Sequence, residues 1–142
     1  MNGPISVAVL GAGGLGKAAA RIIGMKRELR LAAICDSRGI LALAEGLDGE
    51  LVAGISGDLV DGYRAHVEGG GDASGVAVAT AVETRHCEDP IGEILAKAGE
   101  FDAVLVALPN LPNAFIPGVI ERFARAHTSL VFVDVLKRTR AV

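Results

Sequence analysis

Ile5-Ser6-Val7-Ala8-Val9-Leu10 is a short apolar run, rich in β-branched residues, that stops at Gly11. Its length and its glycine stop predict a buried strand rather than a helix. The period then changes. Leu15, Ala18, Ala19 and Ile22 fall at i, i+3, i+4 and i+7, one face of a helix reaching to about Arg27. Leu29 to Cys35 is apolar again and ends in Asp36, which predicts a second strand. Strand, glycine loop, helix and strand together have the size of a βαβ unit.

Beyond this unit the pattern lapses and returns. Residues 46–75 hold nine of the nineteen glycines, including the triple Gly69-Gly70-Gly71. A helix fits residues 50–55, whereas 69–75 reads as a flexible loop in a glycine-rich insertion. Val76-Ala77-Val78-Ala79-Thr80-Ala81-Val82 predicts a third strand. Asp89-Pro90 sets a capping acid before a proline at the first helical position. Ile91, Ile94, Leu95 and Ala98 continue at helical spacing to Gly99. Residues 101–108 predict a fourth strand, closed by Pro109. Ile116, Val119, Ile120 and Phe123 give the next helical face, with Asn113 as its cap, and residues 130–135 a fifth strand. Strands alternating with helices predict one α/β domain over residues 1–142, a Rossmann-type, doubly wound parallel sheet in three αβα layers. No internal repeat marks a solenoid or a propeller.

Composition narrows the class. Hydrophobic residues make up 51% and charged residues 22% of the chain, which is globular rather than disordered. With four Phe, one Tyr and no Trp, the core must come from Ala, Val, Leu and Ile, as in sheets covered on both faces. A net charge of −3 argues against a general nucleic-acid binder. No apolar run reaches the roughly 18 residues of a membrane span, and Met1-Asn2-Gly3-Pro4 lacks the basic start of a secretory signal. Two cysteines, Cys35 and Cys87, are too few for a disulfide framework, so the reducing cytoplasm is the expected location. Cys35 is expected to be a small buried hydrophobe.

Gly11-x-Gly13-x-x-Gly16 gains its meaning from context, because it follows a strand, opens a helix and precedes an acid at the next strand's end. In this reading Gly11 makes the tight turn, Gly13 admits a pyrophosphate and Gly16 lets helix and strand pack closely. The loop Gly11-Ala12-Gly13-Gly14-Leu15-Gly16 is therefore the candidate cofactor-binding segment, with helix N–H groups facing the diphosphate. Asp36 stands where a carboxylate accepts adenosine ribose hydroxyls, which favours NAD. Ser37 and Arg38 follow at once, and an arginine there can pair with the 2′-phosphate of NADP. Both cofactors stay open, as does a solvated loop charge for Arg38.

Ligands of open α/β sheets bind outside the carboxyl ends of the strands. Two segments reach that edge with unusual chemistry. In Leu108-Pro109-Asn110-Leu111-Pro112-Asn113, two prolines fix the backbone while two asparagines offer amide groups, so Leu108, Pro109 and Asn110 join the candidate cofactor wall. The other reading is a stiff connection capped by Asn113. Lys137 is the catalytic candidate. Of four lysines, Lys17, Lys26 and Lys97 suit surface roles, whereas Lys137 follows the fifth strand directly. Its amine could donate a proton or form a Schiff base with a carbonyl. The latter needs a neutral amine, favoured by desolvation or by the cations Arg138 and Arg140. A solvated basic tail is the other reading. His86-Cys87-Glu88-Asp89 has metal-binding residue types, but neighbours on an extended chain point in alternate directions, so no metal site is expected.

Three segments carry a family resemblance. Val9-Leu10-Gly11-Ala12-Gly13-Gly14-Leu15-Gly16-Lys17-Ala18-Ala19, Ala107-Leu108-Pro109-Asn110-Leu111-Pro112-Asn113 and Val133-Asp134-Val135-Leu136-Lys137-Arg138-Thr139 resemble saccharopine-dehydrogenase-like oxidoreductases. Within these, the chain is most similar to the biotin-biosynthesis enzymes acting on 8-amino-7-oxononanoate. The resemblance implies that Lys137 condenses with the ketone of that substrate and that a nicotinamide cofactor reduces the imine. Carboxylation and reoxidation follow, and the lysine gives its nitrogen to the product, one turnover per chain. It also implies a second domain beyond this segment, so that this chain is the nucleotide-binding half. The partners expected are a dinucleotide, and a small-molecule substrate only with that second domain. Nucleic acid and membrane are not expected, and a homo-oligomer is left open. Two alternatives remain: a conventional dehydrogenase domain of the glucose–fructose oxidoreductase or homoserine dehydrogenase type, and a non-catalytic dinucleotide-binding module. Against the first of these dehydrogenases, Leu136-Lys137-Arg138 stands where it has a Glu-Lys-Pro motif.

Overall fold

The computed structural model of the chain describes residues 3–69, 81–108, 115–126 and 129–134. Its centre is a parallel set of four strands: β1 (Ile5–Leu10), β2 (Leu29–Cys35), β5 (Ala103–Val106) and β6 (Val131–Asp134). Helix α1 (Gly14–Met25) connects β1 to β2, and α5 (Phe115–Ala126) lies between β5 and β6 in sequence. Two further strands, β3 (Gly39–Ala42) and β4 (Glu83–His86), extend the sheet to the order β4-β3-β2-β1-β5-β6.

The expected parallel sheet is present at the centre and is extended on that side by two antiparallel pairings. β3 runs antiparallel to β2, and β4 antiparallel to β3. Only Asp36, Ser37 and Arg38 separate β2 from β3, whereas a parallel return needs a crossover of a dozen residues or more. The chain can therefore only turn back. The expected strand at residues 76–82 is corrected. Ala81 is helical, Val82 lies in a bend and the strand begins at Glu83; residues 76–80 lie outside the described residues.

Helices cover both faces, as expected. On one face Ala8, Leu10, Val104 and Val106 pack with Ile94 of α4 (Pro90–Ala96) and with Val119 and Phe123 of α5. The Phe123 and Phe132 rings meet edge to face, 5.9 Å apart. On the other face Val7, Val9, Leu31, Ile34 and Leu41 pack with Ala20 and Ile23 of α1. Val52 of α2 (Gly49–Ala53) and Leu59 and Tyr63 of α3 (Leu59–Glu68) complete that layer. The glycine-rich stretch thus contains two capped helices before Gly69, and the loop expected at 69–75 falls outside the described residues beyond Gly69.

Helix α1 turns a different face inward from the one its periodicity predicts. Gly16, Ala20 and Ile23 are buried, while Leu15 and Ile22 are 50% and 54% exposed. Backbone contact decides between the two faces. A Cβ at Gly16 would clash with the Gly11 carbonyl, and one at Gly49 with the Ala20 carbonyl. The face with the smallest residues therefore goes inward, where neighbouring backbones approach.

The β4 edge is closed by charge. Glu83 accepts from Lys97 at 2.6 Å and from Arg85 at 2.9 Å, and Arg85 also pairs with Glu93. Charged side chains at a sheet edge discourage pairing with another chain. Among the described residues no helix is long and apolar enough to cross a membrane.

Candidate dinucleotide site

The loop after β1 has the geometry its glycines predict. Gly11 has φ +107°, and a Cβ there would clash with the Ala107 carbonyl oxygen. Its N–H donates to the Cys35 carbonyl at 3.0 Å, joining the ends of β1 and β2. In front of the loop the situation reverses. Gly13 and Gly14 are exposed, with nothing within 4 Å of a Cβ built on either. Ala12 is half-buried behind them, and Leu15 projects outward.

The start of α1 differs from those of α2, α3 and α4. Asp48, Asp58 and Asp89 cap α2, α3 and α4 with carboxylates that accept backbone N–H groups. At α1 the cap is Gly13, no side chain accepts from the first turn, and no acid stands in that turn. The first N–H groups of a helix have no partner within it and favour an anion. They lie at the carboxyl ends of parallel strands, where such sheets bind ligands. These groups, with open space before Gly13 and Gly14, could receive an anion. Lys17 is not aimed at the same space, because its Nζ donates to the Ile55 carbonyl.

Asp36 sits at the end of β2, where the ribose reading requires it, but its carboxylate is already engaged. Oδ1 accepts from Arg38 N–H at 2.8 Å and Gly39 N–H at 2.9 Å, and Oδ2 from Leu59 N–H at 2.9 Å. Each carboxylate oxygen offers about two acceptor sites. Oδ1 is full, so Asp36 has room for one more donor rather than for both hydroxyls of a diol on separate oxygens. Its evident task is to tie the β2–β3 turn to the start of α3. Ser37 and Arg38 are exposed beside it.

Arg38 Nη1, on a largely exposed side chain, lies 4.0 Å from Asp58 Oδ2, a buried carboxylate oxygen that accepts no hydrogen bond among the described residues. Asp58 belongs to a cluster that adjacent residues in the sequence do not reveal. His86 Nε2 lies 3.0 Å from Asp58 Oδ1 and 3.5 Å from Asp61 Oδ1. The Asp61 amide, and after it His86, hold the Asp58 carboxyl below its usual range. His86 thus joins carboxylates from the start of α3 rather than Glu88 or Asp89. The ligand atoms of Asp58, Asp61 and His86 lie within 4.8 Å of one another. Sequence spacing carries no signal for this grouping, which depends on β4 pairing with β3.

Leu108 is half-buried against the α5-side core. Pro109, Asn110 and Lys137 lie outside the described residues. The strand leading to Lys137 is described, however. Leu10 pairs with Val106, and Val106 with Asp134, so β6 ends on the same sheet edge as the glycine loop, three residues before Lys137. Cys35 is buried as expected, and burial pushes its thiol up to about 12. Such burial disfavours the thiolate, the form in which a cysteine acts as a nucleophile.

Fold and loop together define a Rossmann-like α/β fold with an open, uncapped turn after its first strand. No family model matches the chain. It is 40% identical, over 152 aligned positions, to the (S)-8-amino-7-oxononanoate synthase BioU of Haloferax mediterranei. That similarity takes in 97% of this chain and 42% of BioU, so the chain spans less than half the length of the curated relative it matches.

Proposed function

We propose that the chain is the NAD(P)-binding part of a BioU-like oxidoreductase of the saccharopine-dehydrogenase-like kind, acting in biotin biosynthesis. The observation that carries the reading is the bare N-terminus of α1 behind Gly11 and Gly13, in a protein whose α2, α3 and α4 are capped by aspartates. Gly11 to Gly16 hold the diphosphate, and Ala12 and Leu15 flank it. Asp36 offers its one remaining acceptor site to the ribose, with Ser37 and Arg38 beside the position of a 2′-phosphate. Leu108, Pro109 and Asn110 wall the path towards the nicotinamide. NAD and NADP are both accommodated by this set.

Lys137 is the residue proposed to react. Its neutral amine condenses with the ketone of 8-amino-7-oxononanoate, releasing water and forming an imine. A bound nicotinamide dinucleotide supplies the hydride for that imine. After carboxylation by bicarbonate, a hydride would return from the lysine Cε to the oxidised nicotinamide left by that reduction, and water would cleave the new Cε=N bond; the nitrogen leaves with the product, the Lys137 side chain ends as an aldehyde, and each chain turns over once. Neutrality of the amine at physiological pH requires desolvation or nearby cations, and Arg138 and Arg140 are the cations adjacent in sequence.

The test joins this chain to the part of BioU that it does not match and supplies 8-amino-7-oxononanoate, bicarbonate and NADH or NADPH. Peptide mass spectrometry should find Lys137 altered in step with product, one equivalent per chain. An unaltered Lys137 after product formation, or many turnovers per chain, overturns the sacrificial reading and favours a conventional dehydrogenase. Dinucleotide binding without hydride transfer in the joined protein favours a non-catalytic module.

A further inference from the structure

The exposed large hydrophobic side chains among the described residues are Leu15, Ile22, Met25, Val131 and Val133. Four of them belong to one side of the molecule. Val131 and Val133 are 59% and 46% exposed on β6 and pair with Ala103 and Leu105 of β5. Ala103 and Leu105 pair in turn with Val7 and Val9, which lie beneath α1. These residues share the α1-side face of the sheet, because side chains alternate along a strand. On the opposite face α5 covers β5 and Phe132. On the α1 side cover fades from Val9, fully buried, to Val133, nearly half exposed.

Leu15 and Ile22 flank the same surface. Lys17, Arg21 and Gly24 of α1 face α2 and its following turn, through Ile55, Glu50 and Gly49. At about 100° per residue, Leu15 and Ile22 project from the flank opposite those contacts. From α2 the chain leads to α3, which packs on β3 and β4. The opposite flank of α1 therefore overlooks β5 and β6. An apolar helix flank and an apolar sheet face thus border one side of the molecule, and exposed apolar surface of this kind marks interaction sites.

The two edges of the sheet are treated differently. β4 carries the Glu83, Arg85, Lys97 and Glu93 network, whereas β6 presents Val131 and Val133 on the α1 side with Asp134 alternating to the other face. More than half of BioU has no counterpart in this chain. We propose that this surface, Leu15 and Ile22 with Leu105, Val131 and Val133, is the seat of the BioU region without a counterpart here. That region would dock by an apolar element laid between α1 and β6. The proposal rests on the BioU-like reading. It also places the docked element beside the glycine loop, since Leu15 belongs to that loop and Val133 pairs next to Asp134 at the same strand ends.

Hydrogen exchange of residues 129–134, measured on the chain alone and on the chain fused to the BioU region it does not match, tests the docking. Exchange should slow by about tenfold or more in the fusion. The double variant Val131→Asp with Val133→Asp should return it to the rate of the chain alone, while leaving the melting temperature of the chain alone unchanged. Sedimentation of the chain alone should show no dimer that the double variant dissolves. Equal exchange in both forms, whether or not the fusion folds, overturns the proposal. A dimer lost on double substitution also overturns it, because the occupant is then a second copy. NADH and NADPH titration of the same fusion reads the dinucleotide reading separately, so failure of one is distinguishable from failure of the other.

Discussion

Gly13 and Gly16 stand three residues apart in one loop and answer to different forces. Gly16 has no room for a Cβ against the Gly11 carbonyl, whereas Gly13 faces open space at an ordinary φ of −78°. Gly16→Ala should cost about 3 kcal/mol or more in urea unfolding, because a backbone carbonyl cannot step aside. Gly13→Ala should leave the unfolding midpoint nearly unchanged and weaken dinucleotide binding about tenfold or more, by filling the approach to the diphosphate. Asp36→Ala should destabilise by about 2–3 kcal/mol, since three backbone amides lose their acceptor. Arg38→Ala should weaken NADPH binding about tenfold and leave NADH binding alone; equal loss for both would remove the 2′-phosphate role. The glycine fingerprint was legible in the sequence because its constraints are local. The partners of Asp36 were not, because Leu59 stands 23 positions further along and reaches it only across a folded turn.

Short elements were the least legible. β4 reads Glu-Thr-Arg-His and has no apolar residue, so no hydrophobic pattern could predict it; it forms because β3 offers an edge. β3 is wholly buried and therefore lacks alternation, and α3 is broken in pattern by Gly62. The periodicity of α1 points to the wrong face because the helix has apolar residues on two sides, and the outer one is the surface proposed for docking. The β4 network also gives a pH dependence. Lys97 foremost, and Arg85, hold the Glu83 carboxyl below its usual range. A carboxyl with a lowered folded pKa contributes stability that is present above its unfolded pKa and is lost as pH falls through the folded one. With an unfolded value of about 4.3, Glu83→Gln should lower stability at pH 7, and its difference from the wild type should shrink as pH falls below that value, as read by urea midpoints. A constant difference at every pH would show that Glu83 acts by packing alone.

At the scale of the whole molecule, the alternation of strands and helices predicted the layers correctly, and local pattern could not predict where parallel order gives way to antiparallel. One edge of the sheet is sealed by charge and the other is apolar. The glycine loop opens at the strand ends, where β6 also ends, three residues before Lys137 in sequence. This arrangement suits a cofactor domain working beside a second body of polypeptide. Cofactor binding is the claim on which the rest depends. Calorimetric titration of the chain with NADH and with NADPH, repeated on Gly13→Ala, tests it most directly. Saturable binding of at least one dinucleotide, weakened about tenfold or more in Gly13→Ala at unchanged stability, is the expected result. Binding of neither dinucleotide, or binding indifferent to Gly13→Ala, would contradict the account.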